Sequence, residues 1–334
     1  MTAPEKAAAV QNTTHPMSVT ARRELSDGVV ELELTHVDGH TIEWEPGAHL
    51  DVVLSSGLVR QYSICGGEGH RGVVRIAVLR EEEGRGGSRE VHENLHPGTE
   101  IGIRGPRNHF RLVEADRYLF IAGGIGITPI LAMIDQVTRQ RLPWTLLYGG
   151  RNRRSMAYVD ELTRFRGSAA SSAEVIVVPE DEEGRPDLRT ALTDLEASTA
   201  VYACGPEPLL VALEELAEEL LEPGQLHLER FGAAQSAVDT TGDGGLDSFE
   251  VELASTGEVL QVGPDDRLID VVRTVEPQVP FSCEEGYCGS CETGVLKGLP
   301  CHRDQVLSDE EREQNDTMMI CVGRSRTERL TLDL

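Results

Sequence analysis

Four cysteines define the most specific chemistry open to this chain. Cys283, Cys288 and Cys291 fall in Phe281-Ser282-Cys283-Glu284-Glu285-Gly286-Tyr287-Cys288-Gly289-Ser290-Cys291, and Cys321 lies far downstream. C-x4-C-x2-C with a distant fourth thiol is the ligand spacing of plant-type [2Fe-2S] clusters. Four thiolates must converge on two irons, so one tight loop supplies three and the fold returns the fourth. Gly286 and Gly289 suit such a loop, because turning backbone amides toward sulfur needs conformations that a Cβ resists. A structural zinc site is the alternative. It more often uses paired C-x2-C knuckles, and only one C-x2-C is present.

Upstream, several short stretches could hold a nucleotide-like group. In Arg60-Gln61-Tyr62-Ser63, an alternating strand would let Arg60 pair with a phosphate and Tyr62 stack on a planar ring, with the Ser63 hydroxyl offered to a ring heteroatom. By itself the tetrapeptide also reads as an ordinary half-buried strand. Gly84-Arg85-Gly86-Gly87-Ser88, ahead of a helical Val91–Leu95, can present amides and a hydroxyl to a phosphate, or be a plain loop. Gly123-Gly124-Ile125-Gly126 follows the apolar run Tyr118–Ala122 and precedes Thr128-Pro129, which we expect to form the N-cap and first residue of a helix. Pro129 stands where G-x-G-x-x-G would have its third glycine, so this is not the full dinucleotide fingerprint. It still occupies a strand-to-helix turn, where parallel sheets bind nucleotides. Cys204-Gly205-Pro206 closes another apolar run, placing a thiol near a nicotinamide or simply in the core. Arg151-Asn152-Arg153-Arg154-Ser155 could grip an adenosine phosphate, with surface arginines as the plainer alternative.

The elements that must position these residues read in three blocks. Residues 15–114 alternate in short runs such as Val29–Leu34, His49–Leu54 and Val73–Leu79, punctuated by Gly and Pro, which predicts an antiparallel β-barrel. Residues 115–231 alternate apolar strands (118–122, 145–148, 175–178, 200–203) with helices, which predicts an α/β domain with a parallel sheet. Residues 232–247 form a Gly-rich polar linker, and 248–334 a compact α+β domain around the cysteine loop. Residues 1–14 read as a disordered tail.

The chain has 334 residues and a formal charge of -26, with lysine only at Lys6 and Lys297. That balance argues against a nucleic-acid partner, which would need a basic footprint. No apolar run is long enough to span a bilayer, so no membrane association is expected. Seven cysteines without an export signal suggest a reducing compartment, the cytoplasm. From residue 247 onward 19 acidic residues face 8 basic ones, a surface able to steer a basic redox partner or simply to keep the protein soluble.

Taken in order, Arg60-Gln61-Tyr62-Ser63, Gly105-Pro106-Arg107-Asn108-His109-Phe110, Gly123–Pro129, Cys204-Gly205-Pro206 and the cysteine cluster resemble the phthalate dioxygenase reductase and vanillate demethylase reductase group of the ferredoxin-NADP reductase superfamily. The resemblance runs over nearly the whole chain from about residue 17. It implies an FMN-binding barrel, an NADH domain and a C-terminal β-grasp ferredoxin domain. It further implies that Arg60, Gln61, Tyr62, Ser63, Ala77 and Val78 hold the flavin, with Gly86, Gly87 and Ser88 at its phosphate. Gly124, Gly126, Thr128, Pro129, Gly149, Arg151, Ser155, Cys204, Gly205 and Pro206 would surround the pyridine nucleotide, with Phe231 over the ring. Ser63, Thr128 and Cys204 would be catalytic, and Cys283, Cys288, Cys291 and Cys321 would ligate the 2Fe-2S cluster. Two departures stand out: Cys301 occupies a position where an aspartate is expected, and the arginines at 151–154 leave NADPH open. The implied activity is transfer of single electrons from NADH through FMN and the cluster to a terminal oxygenase component, a Rieske non-haem iron enzyme or a cytochrome P450. A diaphorase and a non-enzymatic redox carrier or sensor are the rival readings.

Overall fold

In a computed structural model of the chain, the described residues are 14–66, 72–82, 84, 86–163, 173–231, 245–277, 279–281, 284, 286, 287, 289–304 and 306–334. They divide into two compact units, Met1–Phe231 and Gly232–Leu334. The tail expected at 1–14 and the linker expected at 232–247 fall largely outside the described residues.

The first unit begins with a closed antiparallel barrel. Its strands are β1 (His15–Ser26), β2 (Val29–His36), β3 (His49–Val53), β4 (Val59–Gly66), β5 (Val73–Leu79) and β6 (Glu100–Arg107), in the order β1-β2-β5-β4-β3-β6. Period-two alternation sends Leu32, Leu34, Leu50, Val52, Ile64, Val74, Ile76 and Ile103 into one buried cluster. Each such side chain contributes roughly 1.5–3 kcal/mol of burial before the entropy of ordering is subtracted. Helix α1 (Gly87–Asn94) follows β5 and buries Val91.

The rest of the unit is a five-stranded parallel sheet. Strands β7 (Arg117–Gly123), β8 (Trp144–Gly150), β9 (Ala173–Pro179), β10 (Thr199–Cys204) and β11 (Leu226–Glu229) lie in the order β11-β10-β7-β8-β9. The connecting helices are α2 (Ile127–Arg139), α3 (Val159–Thr163), α4 (Glu180–Glu183), α5 (Leu188–Leu192) and α6 (Glu207–Leu220). The continuous apolar runs of β7 and β10 follow from burial on both faces. Tyr118, Phe120 and Tyr202 enter one core cluster, and Leu119, Ile121, Val201 and Ala203 the other. The first cluster also contains Val29, Cys65 and Ala77, so barrel and sheet share a core. The chain winds from β7 outward to β9, then returns to β10 on the other side of β7. This reversal makes the carboxyl ends of β7 and β10 a topological switch point.

The second unit is a mixed sheet with a helix packed on it. Strands β12 (Phe249–Leu253), β13 (Val259–Val262), β14 (Glu292–Lys297), β16 (Thr317–Met319) and β18 (Arg329–Leu332) are ordered β13-β12-β18-β14-β16, with β12 and β18 parallel. Helix α7 (Leu268–Arg273) buries Leu268, Ile269 and Val272 against it. A separate ladder joins β15 (Pro300–Cys301) to β17 (Arg324–Ser325), and helix α8 (Asp309–Gln314) opens on a Ser308/Glu311 capping box. The Arg324 guanidinium donates to the carbonyls of Leu246, Asp247, Gly263 and Asp266, tying the first described residues of the unit to the stretch before α7. No helix among the described residues is long and apolar enough to cross a membrane.

Candidate flavin, nucleotide and cluster sites

Strand β4 carries Arg60-Gln61-Tyr62-Ser63 between β3 and β5. Arg60 runs across the start of α1: a Cβ on Gly87 would come within 2.5 Å of its Cγ and Nε. Gly86, at φ 88°, turns the chain into that helix in the left-handed region that glycine adopts at little cost. The Ser88 hydroxyl accepts the Glu81 amide at 3.0 Å. An arginine laid over a glycine-opened helix N-terminus is a seat for an anion, and these residues fit a flavin phosphate. Of the two expected positions on β5, Ala77 faces the core shared with the parallel sheet, while Val78 points into the barrel and its carbonyl meets His92 Nε2 at 2.9 Å.

At the switch point, Gly124–Gly126 wind a single 3-10 turn that runs directly into α2. This corrects the expected helix start. The N-cap is Gly126, Thr128 already lies inside the helix, and its hydroxyl donates to the Ile125 carbonyl at 3.0 Å. The turn is possible only with glycine at 126, where a Cβ would lie 2.2 Å from the Cys204 carbonyl oxygen. The Gly-rich turn is thereby brought onto Cys204-Gly205-Pro206, and α2 lies against β4.

Ser63, Thr128 and Cys204 are all buried. The side chain that links Ser63 to Cys204 was not singled out in the sequence. Glu229, the last residue of β11, pairs with Cys204 across the parallel ladder, and its carboxyl hydrogen-bonds the Ser63 hydroxyl. Its Oε2 is enclosed with no partner. Burial pushes the Glu229 carboxyl up to about 8, with the Ser63 bond opposing. Burial likewise pushes the Cys204 thiol well up, and Glu229 adds to the shift. The available signal was a charge ending a short strand, in Leu228-Glu229-Arg230.

Gly149, next to last in β8, stands where a Cβ would meet Pro186 at 2.7 Å. Arg151 is exposed beyond it, and Ser155 is fixed by Asn152, whose Oδ1 accepts its amide at 3.0 Å. The acidic helix α4 stands beside this loop: the Asp181 amide donates to the Arg151 carbonyl at 3.2 Å, and Glu182 is 3.7 Å from Arg153. Phe231 is 38% exposed at the end of the unit.

In the second unit Cys291 and Cys321 are buried, and the Ile320 amide donates to the Cys291 carbonyl. Cys283 and Cys288 lie outside the described residues. Glu284, Gly286 and Gly289 have φ of 59°, 77° and 71°. A Cβ on Gly286 would stand 2.7 Å from Val322, so the loop is drawn against the turn that carries Cys321. Two buried thiols beside a loop of left-handed residues fit a [2Fe-2S] cluster. Cys301 is buried on β15.

Three family models match the chain. They are an oxidoreductase FAD-binding domain at residues 16–112, an oxidoreductase NAD-binding domain at 120–215 and a 2Fe-2S iron-sulfur cluster binding domain at 251–325. The chain is 38% identical to a vanillate O-demethylase oxidoreductase of Pseudomonas putida over 95% of this chain and 98% of that protein. It superposes on phthalate dioxygenase reductase, a modular structure for electron transfer from pyridine nucleotides to [2Fe-2S], with TM-score 0.71 and 30% identity over the full length of both. An intact type IV self-sufficient cytochrome P450 monooxygenase also matches, with TM-score 0.83 and 39% identity over 96% of this chain and 41% of that one, so the chain spans about two fifths of the P450 protein. The chain therefore belongs to the phthalate dioxygenase reductase and vanillate demethylase reductase family, oxidoreductases with flavin, NAD and [2Fe-2S] domains that serve oxygenases.

Proposed function

We propose that this protein takes hydride from NADH, holds FMN as its flavin, and delivers electrons singly through a Cys283, Cys288, Cys291 and Cys321 cluster to a separate Rieske-type oxygenase. One observation carries this reading. Ser63 of the barrel, Cys204 of the parallel sheet and the half-buried Glu229, with its Oε2 enclosed, meet beside the Gly-rich turn, so a flavin strand and a nucleotide turn share one cleft. When bound, flavin and cluster supply the conversion of a two-electron donor into one-electron deliveries. The residues supply placement. Arg60 and the start of α1 hold a phosphate, Ser63 and Thr128 offer hydroxyls at the cleft, and the small Cys204 and Gly126 keep it narrow. Excluding water there strengthens every charge interaction within it. Glu229 in its ionised form favours the positive charge that a nicotinamide gains on losing hydride.

The seat made by Arg60 and Gly86–Ser88 supports FMN, whose one phosphate it matches. Flavin released by heating should co-elute with FMN on reversed-phase chromatography; FAD would require a further seat for the adenylate half. The carboxylates of α4 beside Arg151 and Arg153 support NADH, because they offset the attraction of those arginines for an additional phosphate. We expect KM for NADPH to exceed that for NADH by about tenfold or more, since like charges brought together are costly. Glu182→Gln should narrow the gap, as measured by steady-state reduction of ferricyanide. The thiol ligand set supports a reducing, cytosolic setting.

The test of the whole reading is an anaerobic titration with NADH followed by visible absorption and low-temperature EPR. Bleaching of the flavin together with a rhombic signal from a reduced [2Fe-2S] centre is expected. Bleaching without that signal would overturn the cluster assignment. A P450 partner is a second reading, favoured by the likeness to the self-sufficient P450. Reconstitution with each oxygenase type separates the two.

A further inference from the structure

The β8–α3 loop is held against the barrel by a buried polar network that none of the electron-transfer steps uses. At its centre is Tyr158, which is 5% exposed and has φ of 62°. A bulky side chain in the left-handed region is a genuine outlier, retained only where the surroundings over-determine it. Here they do. The Tyr158 hydroxyl donates to Glu31 Oε2 on β2 at 2.7 Å and lies 3.2 Å from the Cys65 sulfur on β4. With the phenol proton committed to Glu31, the thiol is the donor, to the Tyr158 oxygen or to the Arg75 carbonyl at 3.3 Å. Burial pushes the Cys65 thiol up to about 12, so that proton is retained across the working pH range.

Further contacts fasten the same segment. Glu31 accepts from Arg23 Nε and Nη2 at 3.2 and 3.1 Å, and Arg23 reaches Glu161 on α3 at 2.6 Å. The Asp27 amide donates to the Arg154 carbonyl at 2.8 Å, and the Ser26 hydroxyl to the Ser155 carbonyl at 3.4 Å. Tyr148 then ties the loop to the Gly-rich turn, its hydroxyl shared between the carbonyls of Gly124 and Ala157 at 3.1 and 3.2 Å. Gly149, Arg151 and Ser155 therefore belong to a segment whose far end is fixed to the strand that also carries Ser63.

We infer that Tyr158 is a positioning residue for the pyridine nucleotide, its hydroxyl latching the Gly149–Ser155 loop to the barrel, to the flavin-side strand β4 through Cys65 and to β2 through Glu31. The inference rests on the reading of that loop as the NADH site. It assigns Tyr158 no contact with the reacting atoms. Its loss weakens binding of nucleotide in ground state and transition state alike, which raises KM and leaves the chemical step nearly unchanged.

The test is Tyr158→Phe in the full-length, flavin-loaded protein. Flavin reduction is followed by stopped flow over a range of NADH concentrations, with ferricyanide turnover alongside. The expected result is an NADH KM raised about tenfold, with the limiting rate within about twofold of wild type. Tyr118→Phe is the control. It removes another buried hydroxyl, one that donates to the Val113 carbonyl at 2.8 Å, at the opposite end of the sheet, and its KM should match wild type. Equal KM changes in both variants, or a lowered melting temperature in Tyr158→Phe with unchanged KM, would overturn the latch. If Tyr158→Phe yields no flavin-loaded protein, Cys65→Ala removes one partner of the phenol. A KM rise of about threefold is then expected, and no rise overturns the proposal. A wild-type protein that NADH does not reduce overturns the nucleotide reading itself. A wild type that is reduced, with variants of unchanged KM, overturns the latch alone.

Discussion

Cys291→Ser is expected to abolish the reduced-cluster EPR signal and to lower electron delivery to a one-electron protein acceptor by at least about 100-fold. Changes in the outer shell of metal sites already cost roughly 10–100-fold, and losing a ligand thiolate costs more. NADH-driven reduction of ferricyanide, which can draw electrons from the flavin, should stay within about threefold of wild type, because the barrel and nucleotide sheet form a compact unit without the cysteine loop. Cys301→Ser is the control, with a retained signal expected. Should Cys301→Ser lose the signal and Cys291→Ser keep it, the ligand set would have to be redrawn around the fifth thiol.

The second large effect is expected at Glu229. Its enclosed carboxyl, held up to about 8 by burial, passes from neutral to charged as pH rises through that value. Only the charged form assists the departing hydride. The flavin-reduction rate at saturating NADH should therefore rise with pH through about 8. Glu229→Gln should flatten the profile and lower the rate at pH 9 by about 100-fold, the lower end of what one preorganised polar group contributes. Stability carries the opposite sign. Between the ordinary carboxylate range and about 8 the folded state binds more protons at this group than the unfolded state does. Stability from this source therefore falls as pH rises across that window. Thermal melting should show Glu229→Gln gaining on wild type between pH 5 and 9 and equal to it at pH 4. A wild-type rate independent of pH would remove Glu229 from the hydride step.

Much of this was legible before folding because the informative residues are close neighbours in sequence. Arg60–Ser63, Gly123–Gly126 and Cys204–Pro206 each sit on one strand or turn whose type is fixed by local alternation and by glycine. The start of the helix, at Ile127, was misread by two residues, since a 3-10 turn and an α-helix share the same local composition and only backbone bonding separates them. Glu229 was missed for a different reason. Its significance comes from Ser63, contributed by another sheet far away in sequence, and no periodicity in Leu226–Glu229 announces that meeting. Tyr158 likewise reads as one more apolar residue after Met156-Ala157. Its hydroxyl gains meaning only from Glu31 and Cys65.

Arg324 has a mechanical consequence. Its guanidinium grips the carbonyls of Leu246 and Asp247, where the second unit begins, and those of Gly263 and Asp266. Five nitrogen-bound protons in a rigid fork make it suited to holding several acceptors at once. Because Arg324 lies on β17 three positions after Cys321, the start of the second unit, the approach to α7 and the segment that carries Cys321 are fastened at one side chain.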